Sequence, residues 1–321
     1  MRNSISDLLN APWTISVVFV AIRLKIFTIL SNKMMTVEEL STNCRAIPHL
    51  LKAVLDACVS MGLIDLQNSK YMNSHFSRVY LLEGNPLYVG DYIQLLYDAS
   101  KHWDKLYDIV VTGRNSNDKE PVDEAKHRTF IKAMNNLGML GEAEALRNSV
   151  DLSKCKEMVD AGGGSGLYSI SLCQKNANLN STIIDRSQTL VITKEMISGC
   201  QGRERITLRE ADITKESFGK NIDVVLLSDV IYDESMTKIV LKNAWNCLRK
   251  NGILIVRGYY SDPENSKPLF GALFVLNMIV FDPNTRVMTI SSLKKSLLEI
   301  GFTITRISHL TERSFAILAK K

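Results

Sequence analysis

Val159-Asp160-Ala161-Gly162-Gly163-Gly164-Ser165-Gly166 places four glycines directly behind an acid, at the end of a short apolar run. Glycines at a strand-to-helix turn let a ligand approach the backbone and leave amide N–H groups free to bind it. Three ligand classes compete. A triphosphate loop needs G-x-x-x-x-G-K-[ST], and no Lys-Ser or Lys-Thr follows here. The dinucleotide pattern G-x-G-x-x-G/A would put its third small residue at Leu167, which obstructs close packing of helix on strand. What remains is acid-x-G-x-G-x-G, spelled by Asp160, Gly162, Gly164 and Gly166. An acid ahead of the turn repels a pyrophosphate and suits a ligand carrying a cation.

Downstream of this stretch, short apolar runs alternate with helical patterns: KEMVDAG, STIID, ITLREADI, IDVVLLSDV, GILIVRGYY, FTITRISHL and SFAILAKK. Helical segments separate the first six, and only TER joins the last two. That pattern predicts a mostly parallel sheet covered by helices, ending in an antiparallel hairpin. Upstream, helical periodicity dominates. Thr36 and Glu39 spell a capping box, LLKAVLDACVSMG ends at Gly62, and LIDLQ and KYMN flank the turn Asn68-Ser69. Helix, turn, helix and wing predict a winged helix at about 36–76. We divide the chain into a winged-helix region at 1–100, a helical linker at 101–150 and an α/β domain at 151–321. The polar segment TGRNSNDKEP at 112–121 is the most loop-like piece of the linker.

The 321 residues are 45% hydrophobic and 23% charged, the balance of an ordinary globular protein long enough to bury a core without staples. The net charge of +5 is too diffuse to imply a nucleic-acid partner. Six cysteines at 44, 58, 155, 173, 200 and 247 form no C-x-x-C pair, which fits reduced thiols in a cytoplasmic protein. Arg23 and Lys25 interrupt APWTISVVFVAIRLKIFTIL, so no membrane span is expected there. No secretory signal is visible, and the sequon Asn180-Ser181-Thr182 is set aside. No histidine pair has metal-ligand spacing, so no metal is expected.

The glycine stretch, with Asp185 ending STIID and Asp212 ending READI, resembles the class I S-adenosylmethionine-dependent methyltransferases. The resemblance extends over nearly the whole chain. It is nearest to the small-molecule O-methyltransferases that carry an N-terminal winged-helix dimerisation domain, the group of the plant caffeate-type and bacterial polyketide-tailoring enzymes. TVEELS, LLKAVLDACVSMGLID, FIKAM, VDAGGGSG, LLSDVIYDES, LKNAWNCLRKNGILIV, NM in LFVLNMIVF, and SLKKSLLEIGF carry it. The resemblance implies S-adenosylmethionine as cofactor, a Rossmann-like seven-stranded sheet, a homodimer and a small-molecule acceptor, with no nucleic acid and no membrane. It implies that Asp160, Gly162, Gly163, Gly164, Asp185, Arg186, Asp212, Ile213 and Ser228 hold the cofactor. Phe130, Met134, Asn277, Met278 and Phe281 would line the acceptor pocket.

One part of the family pattern is broken. The histidine that serves as base in these enzymes falls at Tyr232, and its usual glutamate partner falls at Arg257. A further acid of the family is replaced by Val287. Methyl transfer from a sulfonium expels a neutral thioether, so alignment in a dry pocket is the main task, and a base matters only for a weakly acidic acceptor. Tyr232 and Arg257 are therefore the candidate catalytic residues, Arg257 holding an anionic group of the acceptor or else pairing with Asp229, Asp233 or Glu234. His102 and His127 are possible replacement bases. Oxygen is the expected acceptor atom; sulfur, nitrogen, carbon, or a non-methylating use of the cofactor are the alternatives. A DNA-binding regulator is disfavoured, because PHLLKAVLDACVSMG offers only His49 and Lys52 as basic groups.

Overall fold

A computed structural model describes residues 5–114, 123–259 and 268–321. Most of TGRNSNDKEP therefore lies outside the described residues. The chain divides into two compact units, Met1–Lys101 and His102–Lys321.

The first unit opens with α1 (Ile5–Arg23) and α2 (Ile26–Leu30), then α3 (Val37–Cys44) and α4 (Pro48–Ser60), and the hairpin β1 (Ile64–Gln67) and β2 (Lys70–Asn73). Short α5 (His75–Tyr80) and α6 (Gly90–Trp103) follow. The capping box forms as the sequence predicts: the Thr36 side chain accepts from Glu39 N, and the Glu39 carboxylate accepts from Thr36 N. Its core gathers Phe27, Leu30, Leu40, Leu51, Leu55, Cys58 and Tyr71. One detail of the reading of the N-terminal segment changes here. Over Ile5–Arg23, α1 is long and apolar enough to cross a membrane by length and composition. Arg23 is its last residue and Lys25 lies beyond its end, so neither charge interrupts the helix. Ile5, Leu8, Leu9 and Trp13 stand exposed along it.

The second unit begins with α7 (Leu106–Thr112) and α8 (Glu124–Leu137). At its end α8 passes into a π-helical turn, Gly138–Glu142, broken by Gly141 at φ +92°, and then into α9 (Ala143–Ser149). The α/β layer follows: β3 (Glu157–Ala161), α10 (Leu167–Lys175), β4 (Asn180–Asp185), α11 (Ser187–Ile197), β5 (Ile206–Glu210), β6 (Ile222–Ser228), α12 (Glu234–Cys247) and β7 (Leu248–Gly258). The chain closes with α13 (Leu269–Phe281), α14 (Ile290–Ile300), β8 (Thr303–His309) and β9 (Phe315–Lys320). The sheet order is β5-β4-β3-β6-β7-β9-β8. The first five strands are parallel, and β9 inserts antiparallel between β7 and β8. Each expected strand is present. Residues 102–150, read from sequence as a linker, fall within this second unit.

The apolar runs become central strands because both faces are covered. Val159, Val225, Leu227 and Val256 pack on one side, and Met158, Ile183, Val224 and Ile255 on the other. The order reverses at β3, where β4 leaves on one side and β6 on the other. In open α/β sheets the crevice beyond the strand ends at such a reversal is where ligands bind.

Candidate active site

At the tip of β3 the chain turns through Gly162, Gly164 and Gly166, at φ +76°, +52° and +80°. The underside of this turn is packed. A Cβ on Gly162 would meet Val230 Cγ1 at 2.4 Å, and one on Gly166 would meet Ile197 Cγ2 at 2.8 Å. Its outer side is bare, since a Cβ on Gly164 would meet nothing within 4 Å. Glycine is required at the first and last positions by both conformation and space.

Three acids surround the turn, and they behave differently. Asp185, at the tip of β4, accepts from Gly164 N at 3.0 Å and from Arg186 N at 2.8 Å. Asp212, beyond β5, accepts from Thr214 N and Thr214 Oγ1 at 2.9 and 2.6 Å and faces Lys215 Nζ at 3.3 Å. The Thr214 hydrogen bonds lead in drawing its pKa down to about 2. Both reach the surface at consecutive strand tips, where the sequence places them.

Asp160 does not. Only 1% of it is exposed, and it lies beneath the turn, where a Cβ on Gly163 would come within 2.9 Å of its carboxyl. Ser169 Oγ donates to it at 2.7 Å, Ser181 Oγ adjoins Ser169 at 2.8 Å, and Oδ1 has no hydrogen-bond partner. Burial pushes its pKa up to about 7. In this geometry the Asp160 carboxyl is roofed by backbone and supports the turn from below. Ser228 ends β6 and is 8% exposed, Ile213 is half-buried below Gly162, and Arg186 is exposed at the start of α11.

A second cluster occupies the tips of β6 and β7. Arg257 is fully buried. Its Nη2 meets Glu142 Oε2 at 2.7 Å, and its Nη1 pairs with Asp229 Oδ2. Its guanidinium carbon lies 4.2 Å from the Tyr259 ring centroid and 5.4 Å from that of Tyr168. Burial opposes its charge, but Tyr168, Tyr259 and Glu142 hold it protonated, above the ordinary arginine value. Glu142 is equally buried. Burial works against its carboxylate, and Arg257, Ser314 and Thr311 outweigh it, so its pKa is lowered. Thr311 Oγ1 donates to it at 2.7 Å, Ser314 Oγ also donates, and Arg313 Nε faces it at 3.5 Å. Of the two readings of Arg257, this geometry fits the internal ion pair, because both terminal nitrogens face carboxylates of the protein. Asp229 is the partner the sequence offered; Glu142 was not foreseen. Its one trace in the sequence is the pair Gly138 and Gly141, which marks a break in the helix without saying that the acid there turns inward.

Tyr232 is half-buried. Its phenol donates to Asp229 Oδ1 and accepts from Tyr259 N at 3.2 Å, and its ring lies 4.7 Å from that of Phe274 on α13. Further along α13, Asn277 Oδ1 accepts from Trp103 Nε1 at 3.1 Å, and Phe281 packs on His102 at 4.8 Å. Met278 is half-buried there, as is Met134 on α8, while Phe130 is 45% and Phe281 50% exposed. His127 is spent on a 3.1 Å contact with Thr189 on α11.

Comparison with known proteins gives one consistent result. The profile of the O-methyltransferase domain family matches residues 96–303, and that of the O-methyltransferase dimerisation domain matches residues 6–83. The 3-hydroxy-5-methyl-1-naphthoate 3-O-methyltransferase of Streptomyces sahachiroi is 26% identical over 286 residues, 86% of this chain and 82% of that one. The tetracenomycin polyketide synthesis 8-O-methyl transferase TcmO of Streptomyces glaucescens is 22% identical, over 89% of this chain and 87% of its own length. The crystal structure of human N-acetylserotonin methyltransferase in complex with SAM shares the fold at a TM-score of 0.88 and 23% identity, covering 99% of this chain and 96% of that one.

Proposed function

The chain belongs to the O-methyltransferase family, and within it we propose that this enzyme methylates a hydroxyl oxygen on a small, flat, largely apolar acceptor, with S-adenosylmethionine as cofactor. One observation carries the cofactor site: a turn packed underneath and bare above, beside two strand-tip carboxylates. An adenosine ligand fits that shape. Backbone N–H groups of the glycine turn would hold its amino-acid end, Asp185 its ribose hydroxyls, and Asp212 with Ile213 its adenine. Arg186 and Ser228 flank the two ends. When bound, S-adenosylmethionine supplies an electrophilic methyl group on a positively charged sulfur.

The acceptor side is built from this chain's aromatic and thioether side chains. Phe130 and Met134 on α8 face the task from one element, and Phe274, Asn277, Met278 and Phe281 on α13 from another. Such walls exclude water and favour a ring system, while Asn277 offers one polar contact. Tyr232 stands where the base stands in relatives. A homodimer is the assembly we propose: the dimerisation family match at 6–83 includes the exposed Leu8, Leu9 and Trp13 of α1.

Calorimetry with S-adenosylhomocysteine tests the cofactor site; well-folded protein that takes up neither it nor S-adenosylmethionine refutes the reading. Release of S-adenosylhomocysteine from a set of naphthols and hydroxynaphthoates tests the acceptor class. Methylation at nitrogen or carbon of an analogue lacking the hydroxyl would replace the oxygen reading.

A further inference from the structure

The hydrogen bond between Tyr232 and Asp229 has a fixed sense: the phenol donates and the carboxylate accepts. Asp229 is held in place for this. It follows β6 with φ +58°, a left-handed conformation that a non-glycine residue adopts only at a cost. Its N–H donates to Arg257 O at 3.0 Å, and its other carboxylate oxygen pairs with the Arg257 side chain. Behind Arg257 stands Glu142, and beyond Glu142 stands Arg313. The charges alternate along a line: Arg313, Glu142, Arg257, Asp229. Glu142 and Arg257 are closed to solvent, while the Asp229 side chain is 24% exposed. Asp229 is the open end of this line, and Tyr232 caps it. Ser228 Oγ, at 3.5 Å from Asp229 Oδ2, is the other polar neighbour.

We propose that Tyr232 and Asp229 form a two-residue proton relay that replaces an imidazole base, with Arg257 and Glu142 as the residues that position it. The proposal rests on the hydroxyl-acceptor reading above. As the acceptor oxygen bonds to the methyl carbon, the carbon–sulfur electron pair leaves with the thioether. The acceptor's hydroxyl proton passes to Tyr232 Oη, and the phenol's own proton passes to Asp229 Oδ1. Tyr232 ends neutral, Asp229 ends as a carboxylic acid, and its exposed edge returns the proton to solvent. The step removes one cation, the sulfonium, and one anion, the carboxylate. A poorly solvated site favours such a neutralisation. A carboxylate is base enough, because an alkylated hydroxyl oxygen is a much stronger acid than a carboxylic acid. The relay serves acceptors whose hydroxyl is still protonated; an acceptor that is already a phenolate does not need it.

The test compares full-length wild type with Tyr232→Phe, Asp229→Asn and Glu142→Gln on two acceptor sets, unsubstituted naphthols and nitro-naphthols that ionise below neutral pH. S-adenosylhomocysteine release is the readout, and calorimetry with S-adenosylhomocysteine establishes that each variant is folded. Tyr232→Phe and Asp229→Asn should lower kcat on naphthols about 100-fold with little change in KM, and the loss should shrink at least tenfold on nitro-naphthols. Glu142→Gln should lower kcat in the same acceptor-dependent way by a smaller factor. Melting supplies a readout apart from activity: the loss in the double variant should fall short of the sum of the two single losses, because the two substitutions remove one shared bond. Fully additive melting losses, or equal kcat losses on both acceptor sets, or no loss, overturn the relay. No turnover of either set by the wild type overturns the hydroxyl-acceptor reading and the relay with it.

Discussion

The tip of β3 and the tip of β7 lie in one sheet, separated by β6 alone, yet they are built on opposite plans. The β3 tip is made of backbone. Its glycines take left-handed angles, its outer side is bare, and Asp185 beside it binds backbone N–H groups of Gly164 and Arg186. The β7 tip is made of charged side chains. Arg257, Glu142 and Asp229 come from segments far apart in the chain and meet out of water. The lesson is one of tolerance. A backbone site fails when a side chain is added, whereas a buried charge site fails when one is taken away.

The sharpest way to break this comparison is Arg257→Met. It takes from the buried Glu142 carboxylate its nearest cation and leaves it Thr311, Ser314 and the more distant Arg313, and removing one partner of a buried pair costs about 3–5 kcal/mol. Chemical denaturation should show that loss; a change under about 1 kcal/mol would mean the line of buried charges does not stabilise the β7 tip. At the other tip, Gly162→Ala must accommodate a Cβ 2.4 Å from Val230 at a positive φ. We expect a loss of about 2 kcal/mol and weaker uptake of S-adenosylhomocysteine by calorimetry. Gly164→Ala, which meets no neighbour, should cost less than half as much in the same assay.

The acids sharpen the comparison through pH. Burial lifts Asp160 to about 7, so between its ordinary range near 4 and about 7 the folded chain keeps a proton that the unfolded chain has released. Its contribution to stability is present at low pH and lost as pH rises through that window. Asp212, drawn down to about 2 chiefly by Thr214, acts in the opposite sense: its contribution is present above its ordinary value and lost as pH falls towards about 2. Asp160→Asn should therefore raise the melting temperature relative to wild type near pH 8 and lose that advantage near pH 4. Identical pH–melting curves for variant and wild type would refute it. The smallest effect is expected at Arg128→Ala. It breaks an ion pair with Glu195 on the outer face of α8 and α11, exposed on both sides, and stability should move by no more than about 0.5 kcal/mol.

Much of the fold was legible in the sequence because its signals are local. Seven apolar runs became seven strands, and Thr36-x-x-Glu39 became a capping box. Asp185 and Asp212 reached their strand tips because a strand's end is set by the run that precedes it. The position of β9 was not legible, since a hairpin's length says nothing about which of its strands meets β7. The orientation of Asp160 was not legible for a related reason: its place before the glycines is a matter of sequence, but whether its side chain faces up or down is settled by Ser169 on α10 and by the Gly163 backbone above it. At α1 the charges were counted correctly, but the end of the helix decided that they lay at its edge.

By itself the sequence determined a parallel sheet with a glycine turn at its reversal point, because periodicity and backbone freedom are properties of neighbouring residues. By resemblance it also carried the expectation that Tyr232 and Arg257 stand at the family's histidine and glutamate positions. Only the tertiary structure decided what those two residues touch. The behaviour of a charge depends on its burial and on the partners within a few ångströms. For Arg257 those partners are Glu142, after α8, and Asp229, after β6, while Ser314 of the final hairpin holds Glu142 in turn. That convergence is a property of the folded chain, and no stretch of the sequence contains it.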